Sequence, residues 1–228
     1  MRLPPLTPGT LIRRYKRFLA EVDLGGATVT AHCPNTGSML GLAEPGTRVW
    51  LSHTDSGRRK HPYGWELTEL PHTLVGVNTG RANALFREAL EKGVIEGLKG
   101  LRLSRAEVPL EGSRLDFLLE GEGTCYVEVK SVTLAEGNAA YFPDAVTARG
   151  LRHLKALAQA VEGGHRGVLF FCVQREDAAV MRPAAHIDPA YAVALREVAQ
   201  KGVEVMAYRA ELSMERIELV HPLPVDLS

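Results

Sequence analysis

The chain has 228 residues, of which 45% are hydrophobic and 24% are charged, and its 27 basic residues are balanced by 27 acidic ones. This length suffices for one large domain or two small ones with hydrophobic cores, and the composition excludes a fibrous or disordered chain. A formal net charge of zero argues against a polyanion-binding surface that covers the whole molecule. It leaves room for a local basic surface.

The cysteines and the N-terminal segment indicate the cellular compartment in which the protein is expected. Cys33, Cys125 and Cys172 are an odd number at long spacings and form no CxxC pair, which argues against a disulfide framework and a zinc ribbon. The first ten residues contain no signal-peptide apolar stretch, and no segment approaches the roughly 18 apolar residues that a membrane span requires. We therefore expect a cytoplasmic protein with no membrane partner.

The first third of the chain reads as short strands separated by turn residues. The predicted strands cover residues 14–24, 27–32, 48–53, 64–69 and 73–77, with Gly25-Gly26 and Pro45-Gly46 among the turns. Five short strands in this length predict a small β-barrel or sandwich. Arg58, Arg59 and Lys60 add positive charge in a predicted loop.

The pattern changes near Asn78, where helices begin to alternate with strands. Predicted helices cover residues 81–92, 146–161 and 189–201, and predicted strands cover residues 101–108, 113–120, 124–132, 166–174 and 203–208. The strand at 166–174 is almost continuously apolar, which predicts burial on both faces. The order αβββαβαβ predicts an α/β domain with a mixed sheet. We predict two domains, residues 1–80 and residues 81–228.

Charge divides along the same boundary. Residues 1–80 contain nine basic and six acidic residues, a net charge of +3, so the second domain carries −3. The neutral total therefore conceals a modestly basic β-domain joined to a modestly acidic α/β domain.

Two carboxylates are expected to meet on the second domain's sheet. The glycine-rich connection at residues 121–123 predicts an antiparallel hairpin, and pairing Glu120 with Thr124 places Asp116 opposite Glu128. Carboxylates about 4 Å apart repel by roughly 4 kcal/mol at an effective dielectric of about 20. A positive group is therefore expected between or beside them.

Lys130 and a divalent cation are the candidates for that group. Lys130 lies two residues beyond Glu128 and so emerges on the same face of the strand. Mg²⁺ or Mn²⁺ between Asp116 and Glu128 would relieve the repulsion and accept a phosphate, and Lys130 would orient or deprotonate a water for attack on phosphorus. This pattern resembles the PD-(D/E)xK nuclease core, a fold that sometimes adds a further carboxylate on its first helix. The resemblance implies Glu88, at the edge of the first helix's apolar face, as a candidate third metal ligand.

The spacing of Asp116, Glu128 and Lys130 resembles the PD-(D/E)xK nuclease core, which predicts phosphodiester hydrolysis with these three as catalytic residues. Asp116 follows leucine rather than the motif's proline, and the Pro143-Asp144 pair comes too late in the chain to replace it and is predicted as a turn. The alternative is that these charges lie on an ordinary solvated strand face.

Two groups of basic residues are candidates for DNA binding. The first interleaves cations with an aromatic ring along a predicted strand, as a nucleic-acid groove on an OB-fold requires, and consists of Arg13, Arg14, Tyr15, Lys16 and Arg17. The second is Arg149 and Arg152, which lie with His153 opposite the apolar stripe of the second predicted helix. The alternatives are an edge strand and a solvated helix face, and His153 is not predicted to be catalytic.

Several longer segments together resemble the sugar fermentation stimulation protein A (SfsA) family. They are Arg14–Ala20, Thr30–Met39, Ser113–Phe117, Val127–Thr133 and Phe142–Thr147, continued by Arg149-Gly150 and His153-Leu154. The resemblance implies an N-terminal OB-fold, a C-terminal domain similar to PD-(D/E)xK nucleases, DNA binding, and a regulatory role in sugar, especially maltose, metabolism.

Two functions are therefore expected as alternatives. In the first, the protein is a DNA-binding, Mg²⁺-dependent nuclease that is largely nonspecific in sequence. In the second, it is a non-enzymatic DNA-binding regulator of sugar metabolism genes that retains a nuclease scaffold.

Overall fold

The computed structural model describes residues 1–54 and 60–228. Arg58 and Arg59, in the predicted basic loop, lie outside the described residues. No helix within the described ranges is both long enough and apolar enough to cross a membrane.

The N-terminal domain is a barrel of short strands. They are β1 (Leu6–Tyr15), β2 (Leu19–Asp23), β3 (Thr28–His32), β4 (Arg48–His53), β5 (Tyr63–Leu70) and β6 (Thr73–Gly76). They pair in the order β3-β2-β1-β4-β5-β6, and a parallel β3–β5 pairing closes the barrel. Leu11, Val49 and Trp65 are among the side chains buried inside it. The β-barrel predicted from the sequence is confirmed.

The predicted strand at residues 14–24 is wrong, because this segment is a hairpin. β1 ends at Tyr15 and β2 begins at Leu19. Between them Lys16 and Arg17 have φ angles of 50° and 65°, a left-handed conformation that is uncommon for residues other than glycine. Neither glycine nor proline marks this turn, so the sequence pattern did not reveal it.

The C-terminal domain has three α-helices and nine strands among the described residues. The helices are α1 (Ala82–Glu91), α2 (Ala148–Glu162) and α3 (Pro189–Gln200). The strands are β7 (Arg102–Leu110), β8 (Ser113–Gly121), β9 (Gly123–Val132), β10 (Leu134–Glu136), β11 (Ala139–Phe142), β12 (Arg166–Val173), β13 (Val180–Pro183), β14 (Glu204–Leu212) and β15 (Ile217–Leu223).

The main sheet of this domain is mixed, as predicted. Its order is β15-β14-β12-β9-β8-β7, and β12 runs parallel to both of its neighbours. A second sheet has the order β10-β11-β13. These three strands are only three or four residues long and, like β15, were not predicted from the sequence.

The strand β12 separates two layers of core. Residues 167–173 are all buried, which confirms the prediction from their apolar run. Phe170 contacts Phe86 of α1 on one side of the sheet, whereas Phe171 belongs to the cluster formed with Leu157 of α2 and Tyr191 of α3. Alternating side chains of one strand thus serve both layers.

The two domains share a packed interface. Leu67 of β5 belongs to the same buried cluster as Phe86 of α1. The backbone N–H of Gly76 donates to the carbonyl of Gln174 at 2.8 Å, and Arg81 Nε donates to Glu66 Oε2 at 2.6 Å. Packing and hydrogen bonds together therefore fix the barrel against the α/β domain.

Replacing Phe86 with alanine tests this core. Phe86 is fully buried and stacks on Phe117 with ring centroids 5.1 Å apart, so Phe86→Ala should lower the free energy of unfolding by about 3–5 kcal/mol. Denaturant unfolding followed by circular dichroism measures the loss. The matched control is Phe18→Ala at an exposed phenylalanine, which should change stability by less than about 0.5 kcal/mol. Equal effects of the two substitutions would contradict this assignment of the core.

Candidate active site

The β8–β9 hairpin has the register that the sequence predicted. Glu120 pairs with Thr124, and Phe117 pairs with Val127. The hydrogen-bonded pairing of β8 with β9 ends at Phe117 and Val127. Asp116 and Glu128 come next and therefore lie where the two strands separate. This separation leaves room around the two carboxylates for other groups.

Asp116 is held by two neutral donors. Its Oδ1 accepts from Asn83 Nδ2 of α1 at 2.8 Å, and its Oδ2 accepts from the backbone N–H of Val129 at 2.8 Å. Burial, followed by the negative charge of Glu128, raises the pKa of Asp116 to about 6, although both hydrogen bonds oppose the shift. The predicted proximity of the two carboxylates is therefore present, and Asp116 titrates near neutral pH.

Glu128 is only 3% exposed and is held by cationic and aromatic nitrogen donors. Its Oε1 accepts from Lys130 Nζ at 2.6 Å and contacts Nδ1 of His153. Burial alone would raise the pKa of Glu128, but the hydrogen bond from His153 and the charge of Lys130 outweigh it and lower this pKa below its usual range. Glu128 Oε2 is buried and has no hydrogen-bond partner among the residues that the structure describes.

His153 is a site residue that the sequence analysis missed. The helical pattern placed it opposite the apolar stripe of α2, but it is buried, and its Nδ1 lies 3.1 Å from Lys130 Nζ. Arg149 Nε donates to His153 Nε2 at 3.3 Å, which leaves Nδ1 as the protonated nitrogen that donates to Glu128. The sequence contains one indication that His153 is buried. Gly150 and Ala156 are small residues, and they widen the buried face of α2.

Glu88 does not join the carboxylate pair, in contrast to the sequence-based expectation. It forms ion pairs with Lys92 and with the α-amino group of Met1. The contribution of α1 is instead Asn83, whose side chain contacts Asp116. Within residues 1–54 and 60–228, no three acidic, histidine or cysteine residues are placed to share a metal ion, so the expected three-carboxylate set of Asp116, Glu128 and Glu88 is not formed.

A cleft of about 410 Å³ lies beside these residues. Asn83, Lys130 and Arg149 line it from the α/β domain, together with Asp144 of the predicted turn. The barrel contributes Arg17 and the loop at residues 35–37. Arg152 is exposed and is not among the residues that line the cleft.

The residues predicted to form a basic and aromatic groove on the barrel have different roles in the structure. Arg13 forms a two-pronged ion pair with Glu21 and covers the ring of Tyr15. Lys16 and Arg17 occupy the β1–β2 turn, and Arg17 donates from Nε and Nη2 to the carbonyl of Thr36. Only Arg17 of this group reaches the cleft.

Arg14 is engaged inside the protein. Its guanidinium donates to four backbone carbonyls at 2.6–3.3 Å, those of Arg17, Asn35, Gly37 and Ser38. Charge-assisted hydrogen bonds of this kind are among the stronger ones. Arg14 therefore fixes the conformation of the 35–38 loop and has few donors left for a ligand.

The protein thus combines a β-barrel with a mixed-sheet α/β domain, and both domains line a cleft that Lys130 reaches. Asp116 and Glu128 lie behind Lys130 and do not themselves line this cleft. Family comparison gives the same division: residues 12–77 match the SfsA N-terminal OB domain, and residues 80–216 match the sugar fermentation stimulation protein RE domain. The chain belongs to the SfsA family, as its sequence segments indicated. The OB-fold and the mixed α/β domain are confirmed.

Similar proteins cover the whole chain. Sugar fermentation stimulation protein homologs from Citrifermentans bemidjiense and Pelobacter propionicus are 55% and 54% identical to it, over 99% and 100% of both chains. The solved structure of Pyrococcus furiosus SfsA in complex with Ca²⁺ superposes with a TM-score of 0.92 at 30% identity, over 99% of this chain and 98% of that one.

The raised pKa of Asp116 predicts how stability depends on pH without divalent metal. The folded protein keeps this proton up to about pH 6, whereas an unfolded aspartate releases it near pH 3.9. The contribution of this carboxyl to the free energy of unfolding should therefore decline as pH rises from about 4 to about 6 and remain lower above that window. It is measured as the difference between the wild type and Asp116→Asn, because carboxyls with lowered pKa, such as Glu128, contribute with the opposite sign. Asp116→Asn should remove this decline and stabilise the protein at pH 8 by about 2–3 kcal/mol.

Denaturant unfolding of both proteins from pH 4 to pH 8, in chelator, measures this effect. The matched control is Glu120→Gln at an exposed carboxylate on the same strand, which should leave the pH profile unchanged. If the free energy of unfolding depended on pH in the same way in the wild type and in Asp116→Asn, ionisation of Asp116 would not destabilise the folded protein.

Proposed function

We propose that this protein binds DNA, largely without sequence preference, and hydrolyses its phosphodiester bonds with Mg²⁺ or Mn²⁺. The observation that carries the proposal is the arrangement of Asp116, Glu128 and Lys130 on two adjacent strands beside a cleft that cations line. It is the arrangement expected of a PD-(D/E)xK nuclease, in which two carboxylates and a lysine act on one phosphate.

The residues present fit a divalent cation. Glu128 Oε2 is a buried carboxylate oxygen that has no partner within residues 1–54 and 60–228, and burial disfavours the charge of Asp116. A cation held by both carboxylates would satisfy them. Mg²⁺ is commonly held by one or two carboxylates and completes its coordination with waters and substrate phosphate. The Ca²⁺ in the structure of the Pyrococcus furiosus relative supports a site for a hard divalent cation.

Each side chain of the site has a definable task. A bound Mg²⁺ would supply charge neutralisation at the scissile phosphate. Lys130, held by Glu128 and close to His153, positions its ammonium to hold the attacking water. Asn83 and the Val129 N–H orient the Asp116 carboxylate. His153 orients Glu128 and keeps it ionised.

Two arginines support binding to a phosphate backbone. Arg17 from the barrel and Arg149 from α2 line the same cleft as Lys130, which places three cations where a polyanion would approach. Contacts of this kind position the nucleic acid and carry no sequence information by themselves. Low sequence preference is therefore expected.

Cleavage of DNA tests the enzymatic part of the proposal. We expect wild-type protein to cut a labelled DNA substrate with Mg²⁺ or Mn²⁺ and not in chelator. Asp116→Ala and Lys130→Ala should each reduce the cleavage rate by at least about 100-fold, because each removes a group that acts on the reacting phosphate. Gel analysis of single- and double-stranded substrates over time gives the rates.

Exposed residues of related type supply the controls. Lys155→Ala on α2 and Glu120→Ala on β8 should leave cleavage unchanged. Binding to DNA with no metal-dependent cleavage of any substrate would overturn the nuclease proposal and favour the non-enzymatic DNA-binding regulator.

Mn²⁺ binding tests the role of His153 without measuring activity. Residues that orient metal ligands commonly contribute 10–100-fold to metal affinity, so His153→Ala should weaken Mn²⁺ binding by about that factor, and His153→Gln should recover part of it. Electron paramagnetic resonance of free Mn²⁺ gives the dissociation constants.

The control for this titration is His72→Ala, at an exposed histidine in the β5–β6 turn. Its Mn²⁺ affinity should equal that of the wild type. An unchanged affinity in folded His153→Ala would show that this histidine does not support a metal site.

A further inference from the structure

The cleft is built by both domains, and its size bears on what can enter it. The α/β domain supplies Asn83, Lys130 and Arg149, and the barrel supplies Arg17 and the loop at residues 35–37. A volume of about 410 Å³ is in the range of pockets that enclose small ligands, roughly 300–1,000 Å³. A base-paired duplex presents grooves and two backbones to a protein, whereas one unpaired strand can place a single nucleotide in such a pocket.

The barrel wall of the cleft is rigid. The guanidinium of Arg14 fixes the 35–38 loop through carbonyls on both sides of it, and the backbone N–H of Gly37 donates to Asn35 Oδ1 at 2.8 Å. A side chain at Gly37 would bring its Cβ within 2.1 Å of Asp144 Oδ2, so the loop already lies against the α/β domain. The backbone N–H of Met39 also donates to Asp144 Oδ2 at 3.4 Å.

This contact closes one side of the cleft. Because the loop is fixed by internal hydrogen bonds and touches Asp144, it cannot move aside to admit a wider ligand without breaking them. The barrel side of the cleft is therefore fixed, and a ligand has to fit the space between the two domains as it stands.

Apolar side chains are exposed on the segments that border the cleft. Phe18, which is 46% exposed, follows Arg17, and Val146, which is 78% exposed, lines the cleft itself. Leu40, which is 54% exposed, follows Met39 of the barrel wall. Three of the five exposed large hydrophobic side chains among the described residues thus belong to these segments.

Such a border suits unpaired bases. Proteins that bind single strands combine cations for the backbone with an aromatic surface on which bases stack. Here Arg17, Lys130 and Arg149 line the cleft and supply the cations. Phe18, an exposed ring that directly follows Arg17 in the chain, supplies the aromatic surface. In a duplex the base faces are already stacked on one another and are not available to Phe18.

We propose that this cleft binds a single strand of DNA and excludes the duplex, with phosphate contacts to Arg17 and Arg149 and a base against Phe18. The proposal names the substrate class of the site and rests on the proposed function for the choice of DNA as ligand. It requires no cleavage, so it can be tested separately.

Fluorescence anisotropy in chelator measures binding without cleavage. The probes are a fluorescein-labelled single strand of about 12 nucleotides and the blunt duplex of the same sequence. Wild-type protein should bind the single strand at least about tenfold more tightly. Phe18→Ala should weaken single-strand binding by about tenfold, and Arg17→Ala should weaken it and lower the slope of log K against log salt by about one.

Two exposed positions away from the cleft serve as matched controls, Val193→Ala on α3 and Arg105→Ala on β7. Both should bind like the wild type. Because the Phe18 side chain is 46% exposed, Phe18→Ala should fold even if Arg17→Ala is destabilised by the loss of the Arg17–Thr36 hydrogen bonds.

The outcomes separate this proposal from the proposed nuclease function. Duplex binding as tight as single-strand binding, or equal losses in Phe18→Ala and Val193→Ala, would overturn the single-strand proposal even if the protein cleaves DNA. Selective single-strand binding that depends on Phe18 and Arg17 would support it even if no cleavage occurs.

Discussion

The rest of the site is arranged around two carboxylates where β8 and β9 separate, the buried Glu128 and the half-buried Asp116. Burial disfavours the charge of both Asp116 and Glu128, but their partners differ. Asp116 receives only neutral donors, and its pKa rises. Glu128 receives Lys130 and His153, and its pKa falls. Two adjacent acids therefore reach different charge states through their immediate partners.

The supports of this pair come from both layers of the domain. Asn83 belongs to α1, which packs on one face of the mixed sheet, and His153 belongs to α2, which packs on the other. The buried strand β12 connects the two layers because its side chains alternate between them. A well-packed core on each face thus determines where the two carboxylates are held, and their geometry depends on residues far along the chain.

Much of this arrangement could be predicted from local sequence patterns. The hairpin register follows from a glycine-rich connection and two-residue alternation, and the burial of β12 follows from its apolar run. The partners of individual polar side chains could not be predicted in this way. Arg14 and Arg17 lie three residues apart in one basic segment, yet the 35–38 loop engages the guanidinium of Arg14 on several carbonyls and leaves Arg17 at the cleft. The burial of His153 likewise depends on how α2 packs, and the strands β10, β11 and β13 are too short to show a period.

The interface between the domains restricts which barrels can be combined with this α/β domain. The two family models meet between residues 77 and 80, but the core of the second domain extends into the first through Leu67, and Gly76 is hydrogen-bonded to Gln174. Separating the two domains at that point would leave Leu67 facing water and remove part of the packing of α1. The barrel is thus not an interchangeable module, and a barrel transplanted from a relative would have to bring a matching inner surface with it.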